Sequence, residues 1–178
     1  TWIVGAGSDV AVIDPGPVGS GLSTGDPKGF DDGNGVGHVE AILAAVGDAR
    51  VAAILCTHTH RDHSPAAAPL RAITGAPVIG CAPLALADDG PRADSAFDAD
   101  YAPDRVLRDG ERISGDGWTL EAVATPGHTS NHLCFALIES GALFTGDHVM
   151  KWPTSVVSPP DGNMADDMAS LERLYERD

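Results

Sequence analysis

The chain has 178 residues, 43% of them hydrophobic, and a formal net charge of −15 from 11 basic and 26 acidic side chains. That length suits one domain with a sizeable core, and the acidic surface repels nucleic-acid phosphates. No apolar run approaches the roughly 18 residues of a membrane helix, so no membrane association is expected.

In chain order, TWIVGAGSDVAVID reads as two short strands joined by the turn AGS. Because it starts without Met and already inside a hairpin, the chain is expected to be an excised or processed fragment. No charged-then-apolar leader is visible, and the three cysteines, Cys56, Cys81 and Cys134, sit in apolar contexts. Buried reduced thiols in a cytoplasmic protein are therefore expected. Pro15 to Gly37 is rich in Gly, Pro and Asp, too polar for core, and is read as a mobile lid or a disordered loop. Val39, Ile42, Leu43 and Val46 recur at helical spacing, which predicts an amphipathic helix stopped by Gly47. VAAILCT follows as a buried strand. Ser64 is a good N-cap with Pro65 at the first helical position, so SPAAAPLRAIT is expected to open a helix. Pro69 should distort that helix, since its ring lacks the N–H. APVIG is another strand and PRADSAFDADYAPD a polar connection. TLEAVAT, HLCFALIE and GALFTGD read as three more strands. Met164, Met168, Leu171 and Leu174 line one face of a terminal helix capped by Asn163. There is no internal repeat and no linker. The alternation suits an α/β sandwich forming a single domain over 1–178.

The chemistry concentrates in THTHRDHS, Thr57 to Ser64, where three of the chain's seven histidines follow the apolar run VAAILC. Residues two apart in an extended segment point to the same side, so His58 and His60 can share one metal. The turn toward Ser64 swings Asp62 and His63 to a neighbouring position. Downstream, TPGHTSNH sets His128 after another strand, its backbone fixed by the Pro-Gly turn. LFTGDH places Asp147 at the end of a third. Imidazole and carboxylate ligands without thiolate suit zinc, and also admit iron or manganese.

HTHRDH, TPGHT and TGD, in this order, resemble the metallo-β-lactamase-fold superfamily, and VIDPG is similar to that family's early strand-turn element. SGALFTGDHVMKWPTSVVSPPDGNMADDMASLERL looks most like the branch of β-lactamase-like protein 2 and its bacterial relatives. The resemblance implies a four-layer αβ/βα sandwich, here C-terminally incomplete. It implies a first metal held by His58, His60 and His128, a second held by Asp62 and His63, and Asp147 bridging both. A further histidine normally completes the second site beyond the last helix. The expectation is thus two Zn2+ ions in the intact protein, with the second site weak in this chain.

The activity implied is that of a metal-dependent hydrolase. Two metals about 3.5–4 Å apart share a water whose pKa falls toward roughly 7, giving a hydroxide for an ester, thioester, lactam or phosphodiester bond. Asp62 and Asp147 are the catalytic candidates, Asp147 by bridging and Asp62 by orienting the water or taking its proton. Asp14 is expected to support the ligands from behind. His132 and His148 either contact substrate, hydrogen-bond a ligand or serve the fold, and His38 reads as a plain surface residue. The substrate implied is a small molecule or single-stranded RNA, the latter opposed by the charge of −15. The alternative is a persulfide dioxygenase-like oxidoreductase using one iron at His58, His60 and the Asp147-type position; a metal-binding protein without catalysis is a third. Specificity is assigned to loops, the Gly-rich stretch after Asp14 and the segment from Trp152 to Pro160.

Overall fold

The computed structural model describes residues 1–18, 37–84, 97–151 and 154–177. Most of the Gly-rich loop expected over Pro15 to Gly37, the first six residues of the polar connection, and Trp152 and Pro153 lie outside the described residues.

Two sheets carry the molecule. In the first, β1 (Trp2–Val4) and β2 (Asp9–Ile13) form the expected antiparallel hairpin. From β2 the pairing becomes parallel, running through β3 (Arg50–Cys56) and β4 (Val78–Gly80) to β5 (Arg105–Val106). Parallel neighbours require crossovers, and here these include α1 (His38–Val46) between β2 and β3 and α2 (Ala67–Thr74) between β3 and β4. A sheet covered on both faces must be apolar on both. Every residue of β2 is accordingly buried, and so are the last four of β3. The second sheet is antiparallel: β6 (Arg112–Gly115), β7 (Trp118–Ala124), β8 (Leu133–Leu137) and β9 (Ala142–Phe144).

Trp118, Leu120, Ala122 and Phe135 of the second sheet join Val12, Ile54 and Leu55 of the first, and Ile42 and Leu70 of the helices, in one core. The opposite face of the second sheet shows Val123, Cys134 and Ala136, covered by Leu174 of α3 (Met164–Tyr175). The layers run helix, sheet, sheet, helix, the αβ/βα sandwich that the resemblance implies. All three cysteines are free and buried. Among the described residues no helix is long and apolar enough to cross a membrane.

Four readings need correction. Helix α2 starts at Ala67 rather than beside Ser64, whose hydroxyl donates to Asp98 Oδ2 at 2.8 Å instead of capping the helix. Pro69 therefore falls in the first turn, where a backbone N–H has no intrahelical partner to lose, and the helix runs on to Thr74. Asn163 caps α3 by accepting from the amides of Ala165 and Asp166, but the buried side is not the methionine stripe. Met164 and Met168 are 60% and 58% exposed, while Asp167 and Ser170 are buried. Finally, β5 and β6 were not anticipated: one is two residues long, and RISG shows little apolar alternation.

Candidate metal centre

Each candidate ligand sits where a strand ends and a turn begins. His58 and His60 leave β3, and a turn over 61–64 carries Asp62 and His63, closed by amides of His63 and Ser64 donating to His60 O. His128 leaves β7 in the Pro-Gly turn, and Asp147 leaves β9. Glycine is required twice. At Gly127 (φ +150°) a Cβ would stand 2.4 Å from Asp167 Cα, so the turn bearing His128 lies directly on α3. At Gly146 (φ +51°) it would stand 2.7 Å from both His132 Nε2 and Thr57 Oγ1.

Among the described residues two groups offer converging ligand atoms. One is His58, His60, His128 and Asp147; the other is Asp62, His63 and Asp147. Within each group the atoms lie within 4.8 Å of one another. In the first, His60 Nδ1 is 3.0 Å from both His58 Nε2 and His128 Nε2. The protons of these rings are fixed from behind. Thr57 Oγ1 donates to Asp14 Oδ2 at 2.8 Å, so at 3.0 Å it accepts from His58 Nδ1. The carbonyl of Val156 accepts from His128 Nδ1. Both Nε2 atoms therefore present lone pairs to His60 Nδ1, where a single proton can satisfy only one of them. A cation satisfies all three. Tetrahedral bonds of 2.0–2.1 Å place nitrogens roughly 3.3 Å apart, close to what is found, so the donor set fits a metal ion. Burial, then the neighbouring histidines, holds the His58 pKa well below its ordinary value, which keeps the ring neutral as a ligand must be.

The second group is more open and more charged. Asp14 Oδ2 accepts from His63 Nδ1 at 3.0 Å, and His63 Nε2 stands 3.2 Å from Asp147 Oδ1 and 3.6 Å from Asp62 Oδ2. Burial pulls the His63 pKa down, but hydrogen bonds to Asp14 and Asp147 outweigh it and push it up to about 10. Asp147 turns its other oxygen toward His128 Nε2 at 3.8 Å, so one carboxylate faces both groups. The Asp62 side chain is 73% exposed.

Asp14 accepts from Thr57 and from His63 Nδ1, the ring nitrogen of His63 other than the one beside Asp147. His132 is buried, accepts the Asp147 amide at Nε2 (3.3 Å) and reaches no surface. His148 is buried 3.1 Å from Asp167 Oδ1, without hydrogen-bond geometry. His38 lies apart, its Nε2 3.0 Å from Thr1 Oγ1. Sequence reasoning passed over Thr57, whose hydroxyl links Asp14 to His58; its only signal is its place immediately before the first histidine. Beside the second group opens a cleft of about 390 Å³, lined in part by Trp2, Asp62, His63, Phe144 and Asp147. Trp2 and Phe144 form a tilted aromatic pair with centroids 5.6 Å apart.

Histidine and aspartate donors converging where two sheets end, on an αβ/βα sandwich, define a class of metal-centre protein. The chain belongs to the metallo-β-lactamase superfamily, whose family model matches residues 1–178. It is 32% identical over 151 residues to the atrochrysone carboxyl ACP thioesterase of Aspergillus fumigatus, covering 82% of this chain and 42% of that protein. It is 38% identical over 116 residues to the hydroxyacylglutathione hydrolase of Cereibacter sphaeroides, covering 61% and 39%. Among solved structures it is similar to TTHA1623 in a di-iron-bound form. The TM-score is 0.70 at 29% identity, over 99% of this chain and 81% of that one. The chain spans well under half the length of these two curated relatives, 42% and 39%.

Proposed function

We propose that the protein is a metal-dependent hydrolase whose substrate is a small acyl thioester. The observation that carries this is the meeting of three imidazole nitrogens at one point, two with their protons fixed elsewhere, beside a carboxylate facing a second ligand group. Two relatives named for thioester cleavage support the bond type, and the Trp2–Phe144 wall offers an apolar surface to an acyl group. In this reading His58, His60 and His128 hold a first ion, Asp62 and His63 a second, and Asp147 serves both. When bound, such ions would polarise the carbonyl and lower the pKa of a bound water from 15.7 toward roughly 7.

The remaining work falls to the chain's own residues. Asp14 fixes the His63 ring through Nδ1. Asp62, open to solvent, accepts a proton from the attacking water and returns it to the departing sulfur, so that C–O forms as C–S breaks and a free thiol leaves. Trp2 and Phe144 hold the acyl chain and keep water from its flank.

The test pairs metal analysis with thiol release from acyl thioesters of increasing chain length, alongside a phosphodiester and a β-lactam. Asp147→Ala is expected to lose turnover by more than the tenfold to hundredfold that follows loss of an outer-shell partner, with its circular dichroism unchanged. Retained turnover at parental zinc content contradicts the shared role of Asp147. One iron per chain with oxygen uptake replaces hydrolysis by oxygen chemistry.

A further inference from the structure

The turn that carries Asp147 is tied to β8 and to the segment joining β7 and β8 by a path of four side-chain contacts. The Asp147 amide meets His132 Nε2 at 3.3 Å, and His132 Nδ1 meets Thr125 Oγ1 at 2.9 Å. Thr125 Oγ1 meets Cys134 Sγ at 3.2 Å, and Cys134 Sγ meets the carbonyl of Thr145 at 3.6 Å. The path thus leaves the turn at residue 147 and re-enters it at residue 145.

Its direction can be deduced from either end. An amide can only donate, so Nε2 of His132 carries a lone pair, and Nδ1 carries the proton and donates it to Thr125. A carbonyl can only accept, so the single proton of Cys134 goes to Thr145, and Sγ accepts from the Thr125 hydroxyl. That leaves Thr125 Oγ1 free to accept from His132, as the first deduction requires. The two agree at Thr125. His132, Thr125 and Cys134 are all at most 1% exposed, so none reaches substrate. The close approach of Gly146 to His132 and Thr57 leaves the turn no slack on that side.

We propose that His132, as its Nδ1–H tautomer, is the positioning residue for Asp147: by accepting the Asp147 amide it sets the carboxylate between the two ligand groups. The inference rests on the metal-centre reading above. Its role is directional: the acceptor at the Nε2 position takes the Asp147 amide, and the bond from Nδ1 to Thr125 fixes the imidazole tautomer that supplies that acceptor.

The tautomer is read directly by ¹⁵N imidazole spectroscopy of the metal-free protein. A protonated Nδ1 and a bare Nε2 on His132 are expected, and a protonated Nε2 overturns the proposal whatever the metal does. Two variants then separate positioning from packing. His132→Gln keeps an acceptor near the Nε2 position; His132→Asn reaches only the Nδ1 position and leaves the Asp147 amide unpaired. Cobalt(II) titration followed by absorption is expected to show His132→Gln close to the parent. His132→Asn should bind tenfold to hundredfold more weakly and lose the band shape of the parent complex. Equal affinity and spectra in the two variants overturn the proposal. If either fails to fold, Thr125→Ser and Thr125→Val give the same reading, with Ser expected to keep cobalt affinity and Val to lose it. Parity between those two also overturns it. A parent protein that binds no cobalt refutes the hydrolase reading, while the tautomer measurement still decides the role of His132.

Discussion

At Asp14 one carboxylate accepts three hydrogen bonds: from the Thr57 amide (2.8 Å), the Thr57 hydroxyl (2.8 Å) and His63 Nδ1 (3.0 Å). Its φ of 48° lies in a region that Asp and Asn enter more readily than other side chains. Asp14→Asn therefore keeps the backbone but turns one acceptor into a donor, which cannot serve all three partners. The variant is expected to lose about 1–3 kcal/mol of stability, the cost of a buried partner left unsatisfied. It should also bind zinc tenfold to hundredfold more weakly. Denaturant unfolding and competition against a chelating dye check the two effects, and unchanged zinc affinity would show that His63 needs no support from Asp14. At this scale the candidate ligands that converge were legible, because two-residue spacing in THTH and a histidine after Pro-Gly are local signals. Thr57 was not. A threonine hydroxyl has no ligand signature, and its task depends on Asp14, brought beside it by the parallel pairing of β2 with β3.

Helix α3 shows what periodicity misses at the scale of an element. Met164 and Met168 face out while Leu174 of the same predicted face packs on the second sheet, and polar groups also hold the inner side: Ser170 donates to Pro126 O at 2.7 Å, and the Asn163 amide donates to Gly127 O at 2.9 Å. Buried polar contacts are invisible to a search for apolar residues. The helix thereby braces the turn that presents His128. The start of α2 was misread for a related reason, since the partner that takes Ser64 away from capping, Asp98, lies 34 residues away. Two substitutions on α3 and its turn should separate. Asn163→Ala loses the cap, costing about 0.5–2 kcal/mol, with metal affinity kept. Gly127→Ala forces a Cβ against Asp167 Cα in a left-handed conformation, so it should cost more stability and weaken metal binding as well. Guanidinium unfolding and cobalt titration of both proteins measure this. Parental metal affinity in Gly127→Ala would mean that the turn does not depend on its seat on α3.

At the scale of the whole molecule the centre joins the two sheets. His58, His60, Asp62 and His63 follow the first sheet's β3, whereas His128 and Asp147 follow strands of the second. An ion held by both sets cross-links them, and the unfolded chain does not hold those ligands together. Binding then stabilises the fold by RT ln(1 + [L]/Kd), about 2.7 kcal/mol at a hundredfold excess over Kd. For a chain of this size that raises the melting temperature by about 5–10 °C. The two groups should not fill together. The first offers three buried or nearly buried imidazoles and a share of Asp147. The second, among the described residues, offers three donors, of which Asp147 is shared and Asp62 is 73% exposed. Zinc added to chelator-treated protein is therefore expected to give most of the thermal gain with the first equivalent, and a weaker second step. His58→Ala should abolish the first step, while His63→Ala should leave it and remove the second. Calorimetric melting against zinc content measures both. A melting temperature indifferent to zinc would remove the cross-link, and equal contributions from the two equivalents would remove the inequality between the groups.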